Sequence, residues 1–193
     1  DCGPATISLS QDVQGEAFDY PEIFFEEKIH IIRRIHPDPR QLNEAAEKLK
    51  LSKQPIIIAG GGILYSEAEK ELSDFAKKHN IPVTPTVMGI GCMTKDDPYY
   101  IGAIGCLGEG SSNSLSKDTD LALAIGTKLG DFTTGSWSNF QNEDFKLVSI
   151  NTARFDVTKH LATPVISDAK IGLLELSKAL GDWRAPNNWY ERS

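Results

Sequence analysis

Short apolar runs alternate along this chain with stretches of helical periodicity. The runs at 56–59, "IPVTPTV" at 81–87, "LALAIG" at 121–126, "KLVSIN" at 146–151 and "TPVISD" at 163–168 each predict a strand, as does "ATISL" at 5–9. Proline has no N–H to give a ladder, so Pro85 puts its strand at a sheet edge or shortens it. Between these runs the period changes to that of a helix. Asp38 followed by Pro39 reads as an N-cap and first helical residue, opening a helix whose apolar face is Leu42, Ala45, Ala46 and Leu49. Ser66 and Glu69 read as a capping box ahead of the stripe Ala68, Leu72, Phe75 and Ala76. A weaker pattern predicts a helix over 111–117, and a final helix carries Leu173, Leu176 and Leu180 and closes at Gly181. The stretch 11–28, after 5–9, reads as an irregular connector broken by Gly15 and Pro21.

Strands apolar on both faces and separated by helices belong to a parallel sheet covered on both sides. The expected fold is therefore α/β: a three-layer, doubly wound, Rossmann-like sheet, mostly parallel, of about six strands. Such folds bind ligands beyond the carboxyl ends of the strands, where strand order reverses. The turns meeting there would be 60–63, 89–91, 126–131, 151–154 and the turn at Asp168.

Three glycine-rich turns are the candidates for chemistry. Gly60, Gly61 and Gly62 follow a strand and precede a helix, which suits either a phosphate cradle or close strand-to-helix packing. The dinucleotide fingerprint is incomplete. Tyr65 stands where the third glycine belongs, and the second strand ends at Thr86 and Val87 without an acid for the ribose. This disfavours a nicotinamide-dependent oxidoreductase. In "GTKLGDFTTG", Gly126, Thr127, Lys128 and Asp131 supply donors and charge for an anionic nucleotide, or a solvated loop with an internal Lys–Asp pair. Glycines 102, 105, 108 and 110 suit either close approach to a flat ligand or neighbouring subunit, or a mobile loop.

Composition narrows the classes further. The 193 residues are 40% hydrophobic, enough for one sizeable core. Neither a membrane-length apolar run nor a signal segment is visible, so a soluble, cytoplasmic protein without membrane contact is expected. Of the net charge of −7, all resides in residues 1–27, which hold seven acids and no Lys or Arg; the remainder carries twenty charges of each sign. Without a basic face, nucleic acid is not an expected partner. Cys2, Cys92 and Cys106 are odd in number and lack C-x-x-C spacing, and so read as reduced thiols. His30, His36, His79 and His160 have no ligand spacing; each reads as a surface or cap residue, and no metal is expected.

The order "QPIIIAGGGILYSEAEKELSDFAKKHNIPVTPTVMGIGCMTKDDPYYIGAIGCLGEGSSNSLSKDTDLALAIGTKLGDFTTG" resembles the central domain of thiamine-diphosphate-dependent enzymes, the acetohydroxyacid synthase and pyruvate oxidase group. The resemblance implies a central domain over 37–181, with 1–36 similar to the end of a preceding pyrimidine-binding domain and its linker, and 182–193 a C-terminal linker. "SINTARFDVTKHLATPVISDAKIGLLELSKALGDW" and "DFTTGSWSNFQN" are most similar to members that hydrolyse a carbon–carbon bond of a cyclic diketone in inositol breakdown. The resemblance further implies pyrimidine- and pyrophosphate-binding domains as partners in a full-length homo-oligomer, with thiamine diphosphate and Mg held there. This chain would hold none of them: Gly130-Asp131 and Gly181-Asp182 each lack the next glycine of a G-D-G motif. It reads as an excised, inactive middle domain with no catalytic residue.

Nucleotide-bearing relatives bind FAD or ADP along the turns already named, which gives the candidate set Gly60, Gly61, Gly62, Gly126, Thr127, Lys128, Asp131, Asn151 and Asp168. Two departures disfavour FAD or ADP here. Lys128 replaces an arginine fork by a point charge, and Asn151 stands where an acidic residue is usual. The alternative to a structural module is a nucleotide-binding regulatory domain.

Overall fold

The computed structural model describes residues 4–29, 31 and 33–193, so Asp1, Cys2 and His30 lie outside the described residues. The chain divides into Asp1–Arg33 and Arg34–Ser193. The first unit carries a single turn of helix, α1 (Gln11–Gln14), a 3-10 turn over Glu22–Phe24, and no buried side chain among its described residues. Residues 5–9 are not a strand, contrary to the pattern. A lone extended run has no ladder partner, so its amides turn to solvent. Phe18, Tyr20, Phe24 and Phe25 pack on one another instead, with ring centroids 4.9 to 5.3 Å apart along the series.

The second unit is an α/β domain around five parallel strands: β1 (Pro55–Ala59), β2 (Val83–Pro85), β3 (Leu121–Ile125), β4 (Lys146–Asn151) and β5 (Thr163–Ile166). Their spatial order is β2-β1-β3-β4-β5, so the order reverses between β1 and β3. Residue alternation splits each strand between two cores. Ile57, Ala59, Leu123, Ile125, Val148 and Ile150 face the larger one. That face is covered by α2 (Pro39–Leu51), α4 (Glu69–His79) and α8 (Ala169–Leu180) through Leu49, Leu72, Phe75, Leu173 and Leu176. Ile56, Ile58, Ala122, Ala124 and Leu147 face the smaller one, with Ile104, Leu129 and the half-buried Trp137 and Phe140.

Local chemistry fixes the helix ends. The Asp38 carboxylate accepts from the amides of Arg40 (2.8 Å) and Gln41 (3.4 Å), with Pro39 at the first turn. The expected Ser66–Glu69 capping box is absent. A five-residue helix, α3 (Gly61–Tyr65), already occupies the turn after β1; Ser66 terminates it, Glu67 turns at φ 51°, and α4 restarts behind Ala68. The weak 111–117 pattern is realised as α5 (Gly110–Asp118), and Gly181 closes α8 at φ 62°. Further turns are supplied by α6 (Asp131–Thr134) and α7 (Arg154–Val157).

Both sheet edges are blocked against further strands. Beyond β2, Val83 donates to the Tyr99 carbonyl and accepts from Ile101. Beyond β5, Pro164 offers no N–H and the Ile166 amide donates to the Gln41 side chain at 3.1 Å. Residues 182–193 pack back onto the domain through α9 (Asn187–Arg192), where the Trp189 indole donates to the Pro55 carbonyl at 2.8 Å and Arg192 pairs with Asp118.

Replacing Asp38 by Ala strips the cap from α2 and is expected to cost about 1 kcal/mol. Urea unfolding should show a lower midpoint at unchanged slope; an unchanged midpoint would show the cap to be idle.

Candidate functional site

The turns named from the sequence lie at the carboxyl ends of β1, β3, β4 and β5, on one rim. There the strand-order reversal is closed by backbone. The Gly60 amide donates to the Ile125 carbonyl (2.8 Å) and the Gly62 amide to the Gly126 carbonyl (3.0 Å). A Cβ on Gly62 would lie 2.5 Å from the Gly126 Cα, and one on Gly60 would lie 2.6 Å from the Thr127 Cβ. Gly126 is itself at φ 60°, where a side chain adds strain. These glycines are therefore needed for one turn to lie against the other. Gly61 has more room: a Cβ added there would lie 3.1 Å from the Met88 carbonyl oxygen.

The polar candidates are engaged within the chain. Asn151 donates through Nδ2 to the Thr127 carbonyl (3.1 Å) and accepts at Oδ1 from the Ala153 amide (3.0 Å). The Thr127 hydroxyl accepts from the Leu129 amide at 3.3 Å. Asp168, 7% exposed, accepts from the Ser66 hydroxyl (2.7 Å), the Ile171 amide (3.2 Å) and Arg34 (3.0 Å to Oδ2). It both caps α8 and ties the chain near Arg34 to the turn after α3. Lys128 and Asp131 are exposed, and the internal Lys–Asp pair considered for this loop is not formed among the described residues.

The third glycine turn packs on the chain too. The Cys106 amide donates to the Phe132 carbonyl at 2.8 Å, and Asn113 bridges both backbone groups of Gly105 at 2.9 Å. At φ 105°, Gly105 brings its backbone against Thr133, whose Cα would lie 2.9 Å from an added Cβ.

Arg34 and Asn113 do work here that the sequence pattern did not single out, and Ser66, read there as a cap, instead donates to Asp168. Ser66 and Arg34 stand 102 and 134 residues from Asp168, so no local spacing links them. For Asn113 the run of glycines at 102, 105, 108 and 110 was the one available signal.

Among the described residues no activated acid, base or nucleophile emerges. Burial pushes the Cys92 thiol up to about 11, which keeps it protonated, while Cys106 is free and exposed. His36 and His160 are exposed as expected, but His79 is fully buried, a correction to its reading as a surface or cap residue. The stripe of α4 continues one turn past Ala76 to position 79, carrying the imidazole into the core. Among the described residues no group of three or more His, Cys, Asp or Glu converges as a metal site would, and no helix is long and apolar enough to cross a membrane. The clearest concavity, about 690 Å³, lies at the opposite rim between Lys53, Asp120, Lys146 and Arg192.

Residues 42–176 match the family described as thiamine pyrophosphate enzyme, central domain. The chain belongs to that family. Among curated relatives, a 3D-(3,5/4)-trihydroxycyclohexane-1,2-dione hydrolase of Bacillus cereus is 44% identical over 176 residues, 91% of this chain and 27% of the relative. The hydrolase of the same name from Clostridium tetani is 43% identical over 178 residues, 92% of this chain and 28% of its own. The chain thus spans about a quarter of the length of these relatives. A solved chain from Mycobacterium smegmatis, provisionally assigned as a thiamin diphosphate-dependent enzyme, superposes with a TM-score of 0.63 at 19% identity. It covers 80% of this chain and 30% of its own, and at that identity speaks for the fold.

The carboxylates of the two Gly-Asp pairs do not converge on one site. Thiamine diphosphate and its metal need converging oxygen ligands, whereas Asp131 is exposed on a four-residue helix and Asp182 follows the far end of α8. No catalytic step is assigned to these residues.

Gly126→Ala is expected to destabilise the domain by at least ~2 kcal/mol, combining left-handed strain with contact against Gly62. Lys128→Ala, two residues on, should change stability by less than about 0.5 kcal/mol. Equal midpoints for the two variants in urea would refute the packing role of Gly126.

Proposed function

We propose that this chain is the middle module of a thiamine-diphosphate-dependent carbon–carbon bond hydrolase acting on a cyclic diketone in inositol breakdown. Its role is structural: it spaces the pyrimidine- and pyrophosphate-binding domains and contributes to subunit packing. The observation that carries the reading is the 44% identity to a trihydroxycyclohexanedione hydrolase across 91% of the chain. The carboxyl rim supports it, since Gly60, Gly62, Gly126, Asn151 and Asp168 spend their contacts within the domain. Exposed Tyr65, Met88 and Phe132 offer apolar surface at the ends of β1, β2 and β3 for a neighbouring domain to cover. Mg and thiamine diphosphate belong to the full-length enzyme, whose place is the cytoplasm.

The nucleotide-binding alternative separates cleanly from this reading. At a hundredfold excess over Kd a ligand stabilises a fold by ~2.7 kcal/mol, which raises the melting midpoint by several degrees. With ligand at about that excess over a micromolar-range Kd, FAD, ADP or NAD should shift the isolated chain by less than about 1 °C, and with thiamine diphosphate, Mg and the cyclic diketone it should form no product. A longer chain carrying both flanking domains should hydrolyse the diketone. A clear shift with FAD or ADP would favour the regulatory domain, and failure of the longer chain on this substrate would overturn the hydrolase assignment.

A further inference from the structure

The C-terminal segment crosses the amino ends of the central strands, and its attachments gather on one buried imidazole. His79 ends α4 with no exposed surface. Its Nδ1 lies 2.7 Å from the Trp183 carbonyl, which can only accept, so Nδ1 carries the proton. Nε2 is then a bare acceptor, served by the Ser177 hydroxyl at 3.0 Å. The His79 backbone carbonyl accepts from the Ala185 amide at 2.8 Å, and the ring packs between Phe75 (4.6 Å) and Trp183 (6.3 Å). One residue on, Asn80 donates to the Ala185 carbonyl and to Asn187, both at 3.1 Å. From there the segment reaches Trp189, 2% exposed and bonded to Pro55 at the start of β1.

The Ser177 hydroxyl suits a neutral ring, while the Trp183 carbonyl accepts from Nδ1 in either state and favours the charged one. A second proton on His79 would turn Nε2 into a donor aimed at the Ser177 oxygen, which already accepts from Lys78 at 3.1 Å. The charges acting on the ring are both positive: Lys78 from α4 and Arg184 from the crossing segment. Helix α8 presents the uncharged Ser177, and Tyr99 lies beside Arg184 and stacks on Tyr190 at 4.7 Å without touching the ring. No carboxylate enters the environment that sets this titration.

We infer that His79 is a proton-sensitive latch for residues 182–193: neutral, it holds the segment against α4 and α8; protonated, it releases the segment while the sheet stays folded. Burial outweighs the Trp183 carbonyl, which favours the charged ring, and with Lys78 and Arg184 adding to it lowers the pKa of the docked imidazole below its ordinary 6.5. The released ring titrates near that ordinary value. Docking is therefore at full strength above about pH 6.5 and weakens as pH falls below it, by up to tenfold per pH unit until the docked ring itself protonates. The separation from global unfolding follows from the attachments. Trp183, Ala185 and Asn187 are held by His79, Asn80 and Ser177, whereas β3 and β4 are held by the sheet ladder and the cores on either face.

Amide hydrogen exchange on the 193-residue chain, corrected for intrinsic rates, tests the latch from about one pH unit above the ordinary imidazole pKa to about one unit below it. Protection at the Ala185 amide and the Trp189 indole should fall with acid, by up to about tenfold, while the amides of Leu123 and Val148 keep theirs. The His79 ring, followed by NMR in the unaltered protein, should titrate below the ordinary imidazole value, because the docked form dominates. His79→Gln, which keeps a donor for the Trp183 carbonyl, should remove the pH dependence. Parallel loss at the strap and β3, a ring that titrates at or above the ordinary imidazole value, or an undiminished pH response in the variant would each overturn the latch. Should the variant fail to fold, the first two measurements still decide.

Discussion

The domain is organised around the contact between two turns far apart in sequence, in which the Gly62 amide meets the Gly126 carbonyl. Strand order reverses there, between β1 and β3, so the helices leaving the two strands diverge to opposite faces of the sheet. In a doubly wound fold that divergence opens a crevice. Here the two backbones fill it, because no side chain on Gly60, Gly62 or Gly126 keeps them apart. The register of β1 against β3, Pro55 opposite Leu121 through Ala59 opposite Ile125, delivers both turns to the same level.

Other parts of the rim take their form from this closure. With Thr127 drawn against Gly60, its carbonyl receives the Asn151 side chain, which links the ends of β3 and β4. Asp168, at the end of β5, completes the series by holding Ser66 behind α3. A chain of contacts thus runs across four strand ends within the domain.

The strands were legible in the sequence because each is apolar on both faces, and burial on both faces is what a parallel sheet demands. Pro85 correctly marked an edge, and Asp38–Pro39 a helix start. Function at the glycines was not legible: a glycine that admits a phosphate and one that admits another backbone have the same letter. The difference lies in which residue stands opposite, and for Gly62 that is Gly126. Ser66 misled for a related reason. Its spacing to Glu69 satisfied a capping box, but the carboxylate of Asp168 offered its hydroxyl a charged acceptor 102 residues away. His79 and Trp189 were missed because the segment that buries them returns from the far end of the chain, and neither helical periodicity nor composition reports on that return.

The direct measurement of the closed rim is the exchange rate of the Gly62 amide hydrogen. If the amide is committed to the Gly126 carbonyl, its protection should approach that of Leu123 in the centre of the sheet and stay unchanged when ADP is added. Exchange near the rate of an unstructured peptide, or protection gained only with the nucleotide present, would contradict the account.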